Sequence, residues 1–314
     1  LLSAAGSCTH TGARPHFFRA LQPIRGRYEV GKHTHIGLVY TRTVCSTQRD
    51  KSMASSQTTA WGVTCSARAD SALCQRAIAI AQELGCTYWD RPEGRLSDFI
   101  HARGLGALVV VGQRDIVVHT PHARLRHHPN AAVLRVINML RNRRDTFVEL
   151  AQLAPGDHLL DCTCGMGADA IAAAHAVGTG GSVRALEASP LLALLTRCGM
   201  QRYQHPNHSA VTAAMRRVHV SNARYQDMLP TYPDNRVDVV YFDPMFSQTV
   251  TDSNGLELVR TFAQTGLPQQ NDIAEAKRVA RRCVLMKDQM PGRTLQALGF
   301  SIIKKARRFC YGLI

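Results

Sequence analysis

The chain has 314 residues, enough for one large domain or two smaller ones. It carries 38 Lys and Arg against 23 Asp and Glu, a formal charge of +15, and its apolar fraction of 45% argues against wholesale disorder. The longest apolar runs are far shorter than the roughly 20 residues of a membrane-spanning helix, and 10 cysteines are too sparse for a disulfide scaffold. We therefore expect a basic cytoplasmic protein that has a polyanionic partner and no contact with membranes.

Residues 1–56 differ from the remainder, and we expect a leader that is disordered or not native. The first 52 residues contain no methionine, and they carry eight Lys and Arg against two acidic residues. Two interpretations are open: an arginine-rich transit peptide, or translated sequence upstream of a start at Met53. The absence of a visible amphipathic arginine helix favours the second.

Residues 57–122 have the pattern of a small α/β unit. A strand is expected over residues 60–65, and apolar residues at helical spacing predict a helix that begins at Asp70 or Ser71 and ends before Gly85. Two β-branched strands follow, over residues 107–111 and 115–119. Residues 123–154 are expected to form a helical connector, in which Asn130 caps a helix over residues 131–141.

From residue 155 to residue 314, strand and helix patterns alternate. This alternation predicts an α/β fold with a doubly wound, mostly parallel, seven-stranded Rossmann-like sheet. Because such sheets bind ligands outside the carboxyl ends of their strands, we expect the chemistry there. Strands are predicted over residues 158–162, 182–187, 217–221, 237–242, 283–287, 300–304 and 309–314, and helices near residues 168–176, 190–200, 272–281 and 293–298.

The first of these strands runs into a glycine-containing loop. Gly165 and Gly167 allow a tight turn and a close approach of the backbone to a ligand, and a helix begins near Ala168. Glu187 follows 20 residues after Gly167, a spacing that suits a carboxylate binding ribose hydroxyls. The pattern predicts a bound nucleoside.

Two cofactors fit this loop. The spacing Gly165-x-Gly167-x-x-Ala170 matches the loose dinucleotide fingerprint. Asp161, just before the loop, instead favours S-adenosylmethionine, because a carboxylate repels a pyrophosphate and attracts an ammonium and a sulfonium. Asp169, near the first turn of the helix, adds another negative charge.

The nearly apolar strand over residues 237–242 ends in Asp243-Pro244-Met245-Phe246. Methylation of an exocyclic amine requires that the nitrogen lone pair be directed toward the methyl donor. An Asp243 oxygen and the Pro244 carbonyl are placed to accept hydrogen bonds from such an amine, and Phe246 is suited to stack on a base.

The stretches DCTCGMGADA, LEASP and YFDPMF resemble class I S-adenosylmethionine-dependent methyltransferases, above all the bacterial small-subunit ribosomal RNA guanine-N2 methyltransferases and their relatives of unassigned substrate. The resemblance covers residue 141 to the C-terminus, and HHPNAA at residues 127–132 resembles a segment ahead of the domain in some relatives. It implies cofactor contacts at Ala168, Asp169, Glu187 and Ala188, adenine-side contacts at Arg224 and Tyr225, and a place for Asp243 beside cofactor and substrate. The family often has small polar residues where this chain has Arg224 and Tyr225.

Other features favour simpler explanations. Cys162 and Cys164 lack a matching pair at zinc spacing, so no metal site is expected. His127 and His128 are expected to be a solvated pair. Several clusters of basic residues suit phosphate contacts that position RNA without reading its sequence: Arg141, Arg143, Arg144, Arg216, Arg217, Arg281, Arg282, Lys304, Lys305, Arg307 and Arg308.

These observations predict a methyltransferase that modifies a base amine of ribosomal RNA, free or within the small ribosomal subunit. Asp161, Gly165, Gly167, Asp169 and Glu187 are the candidates for holding the cofactor, and Asp243, Pro244 and Phe246 those for catalysis. Two alternatives stay open: a methyltransferase for protein carboxylates or DNA, and a non-catalytic, nucleotide-dependent RNA-binding protein.

Overall fold

The computed structural model describes residues 25–30, 33–38, 60–245, 259, 262–263 and 266–314. The chain divides into two compact units, Leu1–Ser56 and Gln57–Ile314. In the first unit, strands β1 (Arg25–Val30) and β2 (His33–Leu38) pair antiparallel, with Arg25 opposite Leu38. These strands lie in the segment that we expected to be a leader, disordered or not native, and Tyr28, Val30 and Ile36 are residues with high strand propensity.

The second unit begins with a five-stranded sheet, which we call the N-terminal sheet. Its strand order is β4-β3-β5-β6-β7; β3 is parallel to β4 and β5, whereas β5, β6 and β7 pair antiparallel. The elements are β3 (Trp61–Cys65), α1 (Ser71–Glu83), β4 (Thr87–Tyr88), α2 (Leu96–Ala102), β5 (Ala107–Val111), β6 (Ile116–His119) and β7 (Arg124–Arg126).

Helix α1 follows the predicted pattern closely. Asp70 is the N-cap, and its carboxylate accepts a hydrogen bond from the Leu73 amide at 2.8 Å. Gly85, just beyond the helix, has a φ of +63°, a left-handed conformation that glycine adopts readily. Strand β7 lies in the stretch that was assigned to the connector. It was not predicted, because three residues are too few for an alternating pattern to stand out.

Two helices form the connector: α3 (Asn130–Leu140) and α4 (Thr146–Leu150). The prediction that Asn130 caps α3 is wrong, since Pro129 occupies the cap position and Asn130 is the first helical residue. The fixed φ of proline suits the start of a helix. Helix α4 was not predicted; Asp145 caps it by accepting a hydrogen bond from the Val148 amide at 3.1 Å.

The main sheet has seven strands in the order β10-β9-β8-β11-β12-β14-β13. Strands β10, β9, β8, β11 and β12 are parallel, and β14 runs antiparallel to both of its neighbours. These strands are β8 (His158–Asp161), β9 (Ser182–Glu187), β10 (Val218–Asn222), β11 (Val237–Phe242), β12 (Ala280–Gln289), β13 (Ser301–Lys305) and β14 (Phe309–Leu313). The predicted seven-stranded, mostly parallel α/β fold is confirmed.

Helices connect the strands of the main sheet. The predicted end of one helix at residue 281 is wrong, because Ala280 and Arg281 already belong to β12, and no glycine or proline marks this helix-to-strand junction. The helices are α5 (Ala168–Val177), α6 (Pro190–Arg202), α7 (Ser209–Arg216), α8 (Tyr225–Met228), α9 (Gln270–Val279) and α10 (Arg293–Ala297). Among the described residues, no helix has both the length and the apolar character needed to cross a membrane.

The strand order places a topological switch point between β8 and β11. From β8 the chain moves outward through β9 to β10 and then returns to β11, on the other side of β8. Loops that follow the two neighbouring strands therefore diverge and leave a crevice, which is where ligands bind in open α/β sheets.

The N-terminal sheet packs against the main fold through α6. Buried residues of β3, α1 and β5 share an apolar core with Leu191, Leu192, Leu194 and Leu195 of α6. His127 also lies against this helix, and its ring Nε2 donates to the Met166 carbonyl at 3.0 Å. Burial lowers the pKa of His127 to about 4. The expectation of a solvated histidine is therefore wrong for His127, because the ring is enclosed between α6 and the loop after β8.

Gly199 of α6 leaves room for this ring, since an added Cβ would overlap the atoms of His127. Helix propensity alone favours Gly199→Ala by about 1 kcal/mol. We expect the opposite result, a loss of about 1–3 kcal/mol in the free energy of unfolding, because the clash forces the ring away from its site. Urea denaturation measures the effect. The double variant with His127→Gly removes all three overlapping atoms of His127, including its Cβ, and should recover stability relative to Gly199→Ala. A stabilised Gly199→Ala single variant would contradict the packing described.

Candidate functional site

A cleft of about 280 Å³ lies at the switch point between β8 and β11. It brings together ten of the predicted site residues: Asp161, Gly165, Gly167, Ala168, Asp169, Glu187, Ala188, Tyr225, Asp243 and Pro244. Arg224 does not line the cleft; it is exposed and precedes α8. Phe246 lies outside the described residues.

The glycine loop between β8 and α5 has the predicted tight conformation. Gly165 and Gly167 have φ values of +53° and +79°, and Gly167 is the N-cap of α5. A Cβ on Gly167 would overlap the tip of Met200. The Thr196 hydroxyl donates to the Gly165 carbonyl at 2.8 Å, so α6 holds the loop from behind. Both glycines line the cleft, together with Met166 between them.

Glu187, at the end of β9, is fixed by backbone amides. Its Oε2 accepts from the Gly165 amide at 2.9 Å and its Oε1 from the Ser189 amide at 2.8 Å. Burial raises the pKa of Glu187, while these amide hydrogen bonds oppose the rise. Since a carboxylate has about four acceptor positions, each oxygen keeps capacity to accept another hydrogen bond. The side chain lines the cleft and is suited to bind a pair of hydroxyl groups.

A chain of short hydrogen bonds connects the two loops of the switch point. The Thr163 amide donates to Asp161 Oδ1 at 3.0 Å, and the Asp243 amide donates to Thr163 Oγ1 at 2.6 Å. Asp161, predicted from its negative charge, thus also shapes the glycine loop. Thr163 was not among the predicted site residues. The sequence did show that it lies in the glycine loop, between Cys162 and Cys164.

Asp243 forms an ion pair that was not predicted. Lys287, near the end of β12, donates from Nζ to Asp243 Oδ2 at 2.8 Å. Burial raises the pKa of Asp243, and the charge of Lys287 opposes this rise. The sequence contained a signal for this partner, because Lys287 ends the next predicted strand after β11, and parallel strands of one sheet end at the same edge.

Asp169 is held from the outer side of the cleft. Its Oδ1 pairs with Arg135 Nη1 at 2.5 Å, and its Oδ2 accepts from the Tyr241 hydroxyl at 3.1 Å. Arg135 also makes two hydrogen bonds to Asp145, at 2.7 and 2.9 Å, so α3 is tied to the site. No sequence signal pointed to Arg135, because its partners lie 10 and 34 residues away along the chain.

Tyr225, at the start of α8, places an unsatisfied group at the site. Its ring lines the cleft and packs edge-on against Phe242, with ring centroids 5.2 Å apart. The hydroxyl is buried and has no hydrogen-bond partner among the described residues. Burial raises the pKa of this hydroxyl, so it stays neutral.

The charges at the cleft fit a cationic ligand better than a pyrophosphate. Burial raises the pKa of Asp161 well above its usual value, and the charges of Asp169, Asp243 and Glu187 raise it further. Arg135 and Lys287 offset the charges of Asp169 and Asp243, whereas Asp161 and Glu187 have no cationic partner among the described residues. A ligand with an ammonium and a sulfonium relieves this repulsion, and one with a diphosphate increases it.

The two loop cysteines are buried. Burial raises the pKa of both Cys162 and Cys164 well above the usual value for a thiol, which keeps them protonated. Within the described part of the chain, no group of three or more His, Cys, Asp or Glu side chains is arranged to hold a metal ion.

Comparison with known proteins agrees with this geometry. Residues 138–310 match the family model described as "Putative SAM-dependent methyltransferase". A Bacillus subtilis (strain 168) protein, uncharacterized protein YpiP, is 34% identical over 253 residues, which are 80% of this chain and 98% of the relative. Ribosomal RNA small subunit methyltransferase J of Psychrobacter arcticus is 32% identical over 122 residues, which cover 36% of this chain and 39% of the relative.

The fold has a counterpart among solved structures. The crystal structure of the SAM-dependent methyltransferase NGO1261 from Neisseria gonorrhoeae superposes with a TM-score of 0.53 and covers 80% of this chain and 94% of that chain, at 14% sequence identity. The match of the family model over more than half of the chain, together with the near full-length relative, identifies the family. The chain belongs to the S-adenosylmethionine-dependent methyltransferases, and its cofactor is S-adenosyl-L-methionine.

Proposed function

We propose that this enzyme methylates an exocyclic base amine of ribosomal RNA, specifically guanine N2. One observation carries the proposal: the Asp243-Pro244 corner and the acidic glycine loop line the same cleft. The partial similarity to a ribosomal RNA small subunit methyltransferase and the formal charge of +15 support RNA as the substrate. This substrate places the enzyme in the cytoplasm with the small ribosomal subunit.

In this proposal, residues 155–314 form the cofactor-binding domain, and residues 123–154 connect it to the unit of residues 57–122. S-adenosylmethionine, when bound, supplies an electrophilic methyl group on a sulfonium. Glu187 accepts hydrogen bonds from both ribose hydroxyls, and Asp161 provides negative charge near the cationic end of the cofactor. The backbone of Gly165, Gly167 and Ala168, which lines the cleft at the start of α5, is assigned to the amino-acid moiety.

The remaining cofactor contacts are assigned by their positions in the cleft. Tyr225, with its unsatisfied hydroxyl, and Ala188 lie on the adenine side. Asp169 acts indirectly, as part of the lining of the cleft, because Arg135 and Tyr241 already bind its two oxygens. Arg224 is exposed, so its role is limited to the rim of the site.

Asp243 and Pro244 orient the target amine. The Lys287 ammonium binds Asp243 Oδ2. No described residue donates to Oδ1, so Oδ1 is assigned to accept one amine hydrogen and the Pro244 carbonyl to accept the other. This arrangement directs the nitrogen lone pair toward the methyl group and stabilises positive charge as it develops on nitrogen. The charge of Lys287 opposes the rise in the pKa of Asp243 that burial causes, and so favours the ionised carboxylate. Phe246 is proposed to stack on the base, which must leave its helix to enter the cleft.

An assay of methyl transfer tests this function. The enzyme is incubated with radiolabelled S-adenosylmethionine and, in separate reactions, with unmodified ribosomal RNA, small ribosomal subunits, DNA and a protein substrate rich in carboxylates. We expect label in the ribosomal RNA or the subunit, and mass spectrometry of nucleosides should identify N2-methylguanosine. Label in DNA or protein alone, or on another atom of the base, would refute the assigned substrate.

The elevated carboxylate pKa values predict a pH dependence of cofactor binding. Asp161 and Glu187 both have pKa values raised by burial, so they protonate at a higher pH than ordinary carboxyls, and their attraction for a sulfonium is lost as the pH falls. Between about pH 7 and about pH 5, binding of S-adenosylmethionine should weaken more than binding of S-adenosylhomocysteine, whose sulfur is neutral. Calorimetric titration measures both, with NAD as a ligand expected not to bind. A constant ratio of the two affinities would contradict the assignment.

A further inference from the structure

Two concave surfaces outside the cleft are rich in arginine. The first, of about 580 Å³, includes Arg91, Arg95, His119, His122 and Arg124, and none of its lining residues is acidic. Burial lowers the pKa of His119, and the charges of Arg124 and Arg91 lower it further. Positive charge is therefore concentrated around this surface.

The second surface, of about 290 Å³, lies between the N-terminal sheet and α6. Its lining includes Arg114, Arg126, His128, Arg202 and Tyr203, with Asp115 as the single acidic residue. The rings of His128 and Tyr203 lie edge to face, with centroids 5.7 Å apart. Arginine beside aromatic rings is the combination that binds single-stranded nucleic acid, through phosphates and stacked bases.

Strand β7 joins the two surfaces. It is the edge strand of the N-terminal sheet, and Arg124 lines the first surface while Arg126 lines the second. Leu125 between them is buried, so both arginines are on the exposed side. Charged residues also protect an edge strand from pairing with another chain, but that role does not account for the further arginines around both surfaces.

The charges of these arginines are available to a partner. Arg95, Arg114, Arg124 and Arg126 form no ion pair with any residue in the described part of the chain. Four arginines of the clusters that the sequence suggested behave differently. Arg216 and Arg217 donate to backbone carbonyls, and Arg281 and Arg282 pair with Asp238 and Asp157.

The N-terminal sheet packs against residues that line the active-site cleft. Met245, Val259 and Ala263 line the cleft, and the same residues belong to the apolar core that the sheet shares with α6. Met245 directly follows the Asp243-Pro244 corner. The N-terminal sheet packs against the side of the cleft that holds the Asp243-Pro244 corner. RNA bound along the edge of this sheet is thus held next to the proposed substrate position.

We propose that the arginine band, defined as Arg91, Arg95, Arg114, Arg124, Arg126 and Arg202, binds the phosphate backbone of the RNA substrate. The band positions the RNA without reading its sequence, while Tyr203 and His128 contact a base. This proposal rests on the proposed function for the identity of the polyanion. It assigns a task to the N-terminal sheet that the cofactor-binding domain does not perform.

The test compares two triple variants of the full chain. Arg114→Gln/Arg124→Gln/Arg126→Gln removes three exposed charges from the band, and Arg184→Gln/Arg236→Gln/Lys277→Gln removes three exposed charges of the main fold to which no RNA contact is assigned. Fluorescence anisotropy with labelled oligouridine, over a series of salt concentrations, gives the affinity and its salt dependence. Loss of three contacts at about 0.7 per phosphate lowers the slope of log affinity against log salt by about 2 in the band variant. The control variant should keep the slope of the unmodified enzyme.

Each outcome decides the proposal. An unchanged slope in the band variant, an equal loss in the control, or no binding of oligouridine by the unmodified enzyme would overturn it, as would binding only to anionic phosphatidylglycerol vesicles. Calorimetry with S-adenosylhomocysteine shows whether the band variant is folded, and its affinity should be unchanged. The methyl-transfer assay separates the two proposals: RNA binding through the band without RNA methylation refutes the function alone, and RNA methylation with band-independent binding refutes the band alone.

Discussion

Replacing Asp243 with alanine is expected to slow methyl transfer by about 10²–10³-fold, because the target amine loses the acceptor that directs its lone pair and stabilises its developing charge. Binding of S-adenosylhomocysteine should persist, since Glu187 and the glycine loop are unchanged. Single-turnover methylation of RNA measures the first quantity, and calorimetry the second. Asp243→Asn keeps one carbonyl oxygen and should retain more activity than Asp243→Ala. A fully active Asp243→Ala enzyme would contradict the assigned role.

Lys287 provides a sharper readout of the same corner. It is the ion-pair partner of Asp243, at 2.8 Å, and its charge opposes the rise in the pKa of Asp243 that burial causes. In Lys287→Met this opposition is lost, so the carboxylate ionises only at higher pH. The acidic limb of the pH–rate profile should therefore move to higher pH, with activity recovering as the pH rises. A purely structural lysine would lower activity equally at every pH.

Glu187→Gln is expected to weaken binding of S-adenosylhomocysteine by about 10²-fold, since hydrogen bonds to a charged acceptor contribute about 1.5–3 kcal/mol each. The amide nitrogen of glutamine also faces the Gly165 or Ser189 amide that the carboxylate accepts from in the native enzyme. Methyl transfer at saturating cofactor should fall less than the affinity does. Calorimetric titration gives the dissociation constant.

Glu149→Gln is the matched control for this variant. Glu149, on α4, makes an exposed ion pair with Arg144, which precedes that helix. Glu149 does not line the cleft. Such surface pairs contribute at most about 1 kcal/mol to stability, so cofactor affinity should remain at the level of the unmodified enzyme. Equal affinities for the Glu187→Gln and Glu149→Gln variants would exclude Glu187 from the cofactor site.

Much of the fold could be predicted because its strands have strong local patterns. The strand predicted over residues 182–187 matches β9, and that over residues 237–242 matches β11. The elements that were missed are short or depend on tertiary contacts. Helix α4 has five residues and β7 has three, and α7 buries only Val211, Ala214 and Met215 against its neighbours.

The candidate site divides in the same way. The glycines, Glu187 and Asp243 could be predicted because each lies at the end of a recognisable strand or in the loop that follows it, and the carboxyl ends of β8, β9 and β11 meet at one edge of the sheet. Arg135 could not, because only the packing of α3 brings it to Asp169. Single-sequence patterns also give no measure of exposure, so Arg224 looked equivalent to Tyr225, although the structure buries only the tyrosine.

A crystal structure of the enzyme with S-adenosylhomocysteine tests most directly whether the cleft between the glycine loop and the Asp243-Pro244 corner is the methyl-transfer site. We predict ribose hydroxyls on the two oxygens of Glu187, the adenine beside Tyr225, and the sulfur facing the Asp243 carboxylate and the Pro244 carbonyl. A ligand bound away from Glu187, or with its sulfur turned from Asp243, would contradict the account.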